Sequence, residues 1–298
     1  MVDAYSGDAA PDSPMSAFKR AFKYYKSRNP PPDMSTVWAM DESDVGRGVR
    51  ISPLPTSIHS ASSEQAELGL NPIDQWTVAT IDSKPGIMLL RGVFRPESHL
   101  YWLDRCLRAY PEAPNVTNLD AHSDQKLTQI WRGGDLNRLR WTTLGYHYDW
   151  LLKEYRDESR SPFPSDLDAL SRTVAAAAGF DGFTPETAIV NYYPPKSTLS
   201  GHVDRAERDL DQPLLSFSFG QTAIYLSGGT SLDEEPTPMF LRSGDVLILY
   251  GDQRLVNHAV PRVFAERPFS DSAAFDPIVV NYANSNRVNI TVRQVNVC

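Results

Sequence analysis

The chain has 298 residues, 41% of them hydrophobic, enough to bury the core of one large domain with decorations or of two small ones. Its formal net charge of −8 excludes a protein that coats nucleic acid indiscriminately, though not one with a local basic groove. Cys106 and Cys298 are the only cysteines, which excludes a disulfide framework or a cysteine zinc site and fits a reducing compartment.

Residues 1–13 are small and acidic, a disordered lead-in with neither the basic start and apolar core of a secretory signal nor the arginines of a transit peptide. No apolar run approaches the ~20 residues that span a bilayer, so the expected protein is soluble and intracellular, without a membrane partner. Cytoplasm, nucleus and mitochondrion all stay open.

Ser13-Pro14 opens a helix signal, and Phe18, Phe22 and Tyr25 follow at helical spacing with Lys19, Lys23, Lys26 and Arg28 mostly off that stripe. The pattern predicts a helix docked on the core by its aromatic face rather than a nucleic-acid arm. Asn29 and three prolines end it, and a loop-rich stretch runs to about residue 76. Residues 87–90 read as a strand, 96–110 as a helix with Cys106 in its core face, and 165–178 as a second helix capped by Gly179. From residue 187 short apolar runs are punctuated by Gly, Pro, Asn and Asp. Strands are predicted near 187–193, 213–219, 222–227, 237–241, 245–250, 278–283 and 286–293. That spacing argues for an antiparallel sandwich or barrel, here an α+β fold: a double-stranded β-helix (jelly roll) backed by N-terminal helices.

His202-Val203-Asp204 places an imidazole and a carboxylate at i and i+2, which share one face of a strand. His258 follows in Asn257-His258-Ala259-Val260, at the end of a returning strand. Two histidines and one carboxylate on one face of a metal leave its other positions open, as in non-haem Fe(II) oxygenases. A His-x-Asp pair alone is a weak signal. In the last strand Arg287, Asn289, Thr291 and Arg293 share one face and Val288, Ile290 and Val292 the other. A surface strand explains this cheaply. A strand lining a barrel would instead need an anionic partner for its arginines, because a buried unpaired charge loses its hydration. A dicarboxylate would supply that partner through the guanidinium fork. Periodicity alone leaves the two readings even.

Over roughly residues 140–294 the chain resembles the AlkB family of Fe(II)- and 2-oxoglutarate-dependent dioxygenases. The resemblance rests on Asn191-Tyr192-Tyr193 ahead of His202-Val203-Asp204, the run Leu215 to Gln221 with Ala223-Ile224-Tyr225, Ser243-Gly244-Asp245-Val246, Arg254 to Val260, and Arg287-x-Asn289-x-Thr291-x-Arg293. Leu139-Arg140-Trp141 to Tyr148, together with Pro162 to Leu167, is similar to the eukaryotic AlkB homologue 1 branch. The resemblance implies a lead-in over 1–13, a helical and loop-rich extension over 14–135 packing on the core, and a dioxygenase catalytic domain over 136–298. It implies that His202, Asp204 and His258 bind Fe(II). Arg287 would engage the end of 2-oxoglutarate near the triad, and Arg293 would hold the distal carboxylate in a salt bridge. Asn191 and Tyr193 would add hydrogen bonds, with Asn289 facing the same cavity. Trp141 and Tyr146 resemble a nucleotide-recognition lid, where an aromatic face stacks on a flipped base.

The implied activity is oxidation of a methyl group on a nucleic-acid base with dioxygen. tRNA 1-methyladenosine ranks first by branch resemblance, and DNA N6-methyladenine and 5-methylcytosine stay open. Arg205-Ala206-Glu207-Arg208 departs from the bacterial run in which an acidic side chain approaches the damaged base, which puts repair of cationic alkylated bases in doubt. Lys126, Arg132, Arg138 and Arg140, interleaved with Trp131 and Trp141, suit backbone contact plus stacking. His147 is assigned to the lid, and His59, His99 and His122 to structural or exposed positions. Lys126 or Lys153 would supply the amine for abasic-site lyase chemistry, although nothing marks either as desolvated. Two competing readings keep parts of this pattern: a 2-oxoglutarate-dependent hydroxylase or demethylase of a protein, and a jelly-roll binding module with vestigial histidines.

Overall fold

A computed structural model describes residues 15–54, 63–120, 127–132, 134–266, 268–270 and 273–297. The expected lead-in over 1–13 and the Ser13-Pro14 start lie outside the described residues, as do His59, His122, Lys126 and Cys298. The helices are α1 (Ala17–Lys26), α2 (Ser63–Glu67), α3 (Ser98–Asp104, continued by a π-helical turn over Arg105–Ala109), α4 (Ser165–Ala177) and α5 (Pro277–Ala283). The strands are β1 (Val49–Pro53), β2 (Thr77–Ile81), β3 (Ile87–Arg91), β4 (Val116–Thr117), β5 (Trp141–Asp149), β6 (Glu154–Arg160), β7 (Thr187–Tyr193), β8 (Leu199–His202), β9 (Leu214–Gly220), β10 (Thr222–Ser227), β11 (Thr237–Leu241), β12 (Val246–Leu249), β13 (His258–Phe264) and β14 (Arg287–Arg293).

They form the two sheets of a double-stranded β-helix. The large sheet runs β1-β2-β3-β12-β9-β14-β7-β5-β4, with β6 paired to β5, and the small one runs β11-β10-β13-β8. Strands from both sides of residue 135 share the large sheet. Strict alternation then sorts the side chains. On β9 and β14, Leu215, Phe217, Phe219, Val288, Ile290 and Val292 face outward into a core with Trp102 and Leu103 of α3, Leu167, Leu170 and Val174 of α4, and Val279 of α5. The opposite face looks across at the small sheet, where Tyr193, Leu214, Leu247 and Leu249 meet Ala223, Tyr225, Met239 and Val260. α1 covers the outer face of the small sheet with Phe18 and Tyr25 against Ile224, Leu226 and Ala259, and its lysines stay off that contact. The aromatic stripe is therefore a docking face, as its periodicity indicates.

The segment 278–283 is helix rather than strand. Asp276 accepts the Ile278 N–H at the N-cap and Pro277 occupies the first turn. Val279, Val280 and Ala283 are buried while Ile278 is exposed, a helical spacing that so short a mostly apolar stretch does not distinguish from a strand. The stretch before residue 76 contains β1 and 3₁₀ turns. β1 shows little apolar alternation because it is an edge strand, paired only to β2. Among the described residues, no helix is long and apolar enough to cross a membrane.

The chain passes from the large to the small sheet between β9 and β10 through Gly220, at φ +82°, where a Cβ would collide with the Asn286 carbonyl oxygen. Gly220→Ala should therefore destabilise the fold by at least about 2 kcal/mol, from left-handed strain plus the clash, read as a lowered denaturant midpoint.

Candidate metal centre

β8 and β13 are neighbours in register, and His202, at the end of one, is paired with His258, at the start of the other. Their rings lie 4.2 Å apart. The strand ends at His202, so Asp204 reaches the site from the loop that follows and not as a residue on a continuing strand face. His202 Nε2 lies 3.9 Å from one Asp204 carboxylate oxygen, and His258 Nε2 lies 3.7 Å from the other. One ligand atom from each of the three falls within 4.8 Å of the others. Each histidine donates its Nδ1–H to a backbone carbonyl, of Ser200 at 2.9 Å and of Val256 at 3.2 Å, which leaves both Nε2 lone pairs facing the carboxylate. Burial, reinforced by the neighbouring His202, pushes the His258 imidazole down to about 4, so it is neutral and ligating at pH 7. Two imidazoles and one carboxylate with an open side suit an Fe(II) ion.

Burial alone would raise the Asp204 carboxyl, but Arg293 and the two histidines hold it well below the usual carboxylate range. Arg293 donates from Nη2 to Asp204 at 2.7 Å and from Nη1 to the Tyr155 hydroxyl at 3.1 Å, and its Nε lies 3.3 Å from Glu207. Glu207 in turn accepts from Arg254 Nη2 at 2.8 Å, and Arg254 Nη1 grips the Asp204 backbone carbonyl at 2.7 Å. Arg254 and Glu207 are buried, and together with Arg293 they fix the loop that carries Asp204.

The two arginines of β14 stand in different surroundings. Arg293, expected at the distal carboxylate, is already paired beside the triad. Arg287 sits six residues earlier on β14, buried, with Nη2 donating to Ser218 Oγ at 3.0 Å and its guanidinium 5.1 Å from the Tyr193 ring centre. Its Nε and Nη1 have no hydrogen-bond partner. A buried guanidinium with two N–H groups unanswered leaves a place that a carboxylate fits. The polar face of β14 thus points into the barrel, which decides between the two readings of its alternation.

A cross-strand row aligns Trp141 with Asn191, Asn191 with Asn289, and Asn289 with Ser218, and opposed residues of antiparallel strands share a face. Asn289 Nδ2 is engaged by Ser216 Oγ at 2.8 Å and the Phe217 carbonyl at 2.9 Å. Trp141 contacts Trp150 with centroids 5.2 Å apart, Trp150 meets Tyr148 at 4.8 Å, and Tyr148 meets Tyr155 at 5.3 Å. The β5–β6 turn bearing Trp150 is solvent-facing, with Leu151 88% exposed. Tyr146 is not at that rim. It is 6% exposed, its hydroxyl accepts from Asn296 at 3.1 Å and Arg160 lies 5.6 Å from its ring centre, so it offers no face to a base.

Trp131 is likewise enclosed, by Arg108 and Arg132 within 4.5 Å of its ring centre, and Arg138 pairs with Asp135. His147 bonds Thr143 at 2.9 Å, His99 bonds Ser243 at 2.9 Å, and Lys153 lies exposed at the hairpin turn. Sequence reasoning missed Tyr148, Trp150, Tyr155, Glu207, Tyr225 and Arg254 as site residues. Trp150 and Tyr148 carried a signal, aromatics clustered after Trp141. Glu207 lies in the Arg205–Arg208 run and Arg254 opens the Arg254–Val260 motif, but nothing in the sequence pairs them until the loop brings them together.

Replacing Arg293 with Ala should destabilise the metal-free protein by about 3–5 kcal/mol, because Asp204 and Glu207 would remain buried without it. The same change should weaken Mn(II) binding by releasing Asp204, as titration calorimetry would show. Arg287→Ala should leave metal affinity unchanged.

Comparison with known proteins agrees with this site. Residues 86–293 match the 2OG-Fe(II) oxygenase superfamily. The chain is 38% identical to the nucleic acid dioxygenase ALKBH1 of Mus musculus, covering 94% of this chain and 84% of that one. It is 35% identical to the tRNA demethylase abh1 of Schizosaccharomyces pombe, over 73% of this chain and 82% of that one. It is 31% identical to the DNA N(6)-methyladenine demethylase ALKBH1A of Arabidopsis thaliana, over 76% and 80%. Bearing this triad inside this barrel, and similar to such relatives along most of its length, the chain belongs to the AlkB family of 2OG-Fe(II) oxygenases, on its ALKBH1 branch.

Proposed function

We propose that the chain oxidatively demethylates bases in nucleic acid, with tRNA 1-methyladenosine as first substrate and DNA N6-methyladenine next. The observation that carries this reading is the aromatic row Trp141, Trp150 and Tyr148, which leads from the solvent-facing hairpin to Tyr155 and the Arg293–Asp204 pair. Its ring faces suit an unpaired base, whose π-face stacks without regard to sequence. The activities named for the fission yeast and plant relatives support the same substrate class. The net charge of −8 fits a local groove better than wide phosphate contact.

In this reading His202, Asp204 and His258 hold Fe(II), and Arg287, with Tyr193 and Asn191 beside it, grips the distal carboxylate of 2-oxoglutarate. When bound, these groups with dioxygen supply hydroxylation of a methyl group, one oxygen atom entering the substrate and the other entering succinate as carbon dioxide leaves. An N-hydroxymethyl base then loses formaldehyde unaided, which restores a free N1 with release of a proton from 1-methyladenosine and an N–H from N6-methyladenine. The protein's part is placement. Arg293, Arg254 and Glu207 keep Asp204 ionised and aimed, while the apolar layer between the sheets keeps water from the barrel interior.

The direct test supplies iron, 2-oxoglutarate and oxygen with RNA bearing 1-methyladenosine, DNA bearing N6-methyladenine, and their unmodified counterparts. Formaldehyde release from a methylated strand alone is expected; turnover indifferent to every methylated strand would overturn the assignment. Arg287→Ala should raise the KM for 2-oxoglutarate on the order of 100-fold, the loss of a buried ion pair worth about 3–5 kcal/mol. An unchanged KM would take Arg287 out of the cosubstrate site. Trp141→Ala should weaken oligonucleotide processing by about 1–3 kcal/mol, the usual worth of base–aromatic stacking. Uncoupled 2-oxoglutarate decarboxylation should change little, whereas parallel loss of both activities with a lower melting temperature would make Trp141 a packing residue.

A further inference from the structure

Tyr225 on β10 is the one tyrosine that the small sheet contributes to the barrel interior, opposite Tyr193 of the large sheet. Its ring stacks on His258 with centroids 5.7 Å apart and planes 26° from parallel. The residue is 6% exposed, and its hydroxyl is buried with no hydrogen-bond partner. Other tyrosine hydroxyls share that condition: those of Tyr110 and Tyr282 lie in the outer core with α3, α4 and α5. Tyr225 differs in what surrounds it. Its ring lies on a metal-binding histidine, and it shares the inter-sheet cluster with Tyr193, whose ring stands against the Arg287 guanidinium. Three polar groups, the Tyr225 hydroxyl and the Nε and Nη1 of Arg287, are thus without a hydrogen-bond partner on the facing sides of the two sheets, with Tyr193 in the same inter-sheet cluster as Tyr225 and against Arg287.

A hydroxyl without a partner inside a folded protein forgoes the hydrogen bonds that water gave it in the unfolded chain. Removing it while keeping the ring costs the empty protein nothing, and can help it. If the hydroxyl is answered only when a ligand arrives, the loss shows in ligand binding instead. We propose that Tyr225 is a cosubstrate-positioning residue, its hydroxyl donating a hydrogen bond to a carboxylate oxygen of the 2-oxo diacid held by Arg287. The inference rests on the cosubstrate pocket assigned above. The large sheet would then supply the charge that fixes the diacid and the small sheet the neutral donor that sets its rotation.

The test is Tyr225→Phe, which keeps the ring on His258, with Arg287→Ala alongside. Binding of 2-oxoglutarate to the Mn(II)-loaded full chain is measured by titration calorimetry without oxygen, so that no turnover enters the result. Tyr225→Phe should bind 2-oxoglutarate about tenfold more weakly, the worth of one hydrogen bond to a charged group, with Mn(II) affinity unchanged. The ligand-free variant should melt at the wild-type temperature or above it. Wild-type 2-oxoglutarate affinity in Tyr225→Phe, with Arg287→Ala still weakened, would overturn the role of Tyr225 and leave the pocket standing. Wild-type affinity in both would overturn the pocket and the inference together. A lowered melting temperature for ligand-free Tyr225→Phe would reveal a partner within the protein and also overturn it.

Discussion

The structure depends on one buried charge arrangement: Asp204 and Glu207 on a loop, held by Arg293 from β14 and Arg254 from the turn before β13. None of the four would be tolerated alone in such a place, since a buried charge without a partner loses several kcal/mol of hydration. Together they pair two carboxylates with two guanidinium groups and draw three separated parts of the chain to one point. The loop between β8 and β9 is thereby fixed without secondary structure of its own. That is the condition for a metal ligand beyond the end of a strand: Asp204 must be as immobile as His202 and His258, which the strands hold.

The same constraint explains the inversion of β14. A strand with three valine or isoleucine side chains on one side and four polar ones on the other ordinarily turns its polar side to water. Here both sides are covered. α3, α4 and α5 bury the apolar face from outside, and the small sheet closes over the polar face from within. Once covered, the polar face becomes specific. Arg293 is spent on Asp204 and Glu207, Asn289 and Thr291 are tied to each other and to Ser216, and Arg287 keeps two N–H groups without a hydrogen-bond partner. Position along a single strand thus separates a guanidinium that orients the metal carboxylate from one that can receive a ligand.

At the rim the sheet carries aromatics in place of charges. Trp141 shares its row with Asn191 and Asn289, so the lining of the interior and the indole at its rim are successive residues of one cross-strand alignment. The hairpin beyond it leaves Trp150, Leu151 and Leu152 exposed next to that face, an apolar tip that a soluble surface rarely retains without use. Enclosure of Tyr146 and Trp131 leaves the Trp141, Tyr148 and Trp150 cluster as the aromatic surface beside this rim.

Read alone, the sequence determined whatever is carried by local periodicity and motif order: the helices at 96–110 and 165–178, most strands after residue 187, the docking stripe of α1, and the membership of His202, Asp204 and His258 in one site. Alternation in Arg287 to Arg293 established that the four polar side chains share a face. It did not establish whether that face meets solvent, because the answer lies in the small sheet and in α3 and α4, the latter two 100 and more residues away. The helix at 277–283 was misread since a short apolar run satisfies both periods, and the cap at Asp276 is only one residue of signal. The surroundings of Arg287 and Arg293, the enclosure of Tyr146, and the pairing of Glu207 with Arg254 were decided by tertiary structure. Each depends on which groups stand within hydrogen-bonding distance across sheets and loops, and a partner dozens of residues away leaves no local trace in the chain.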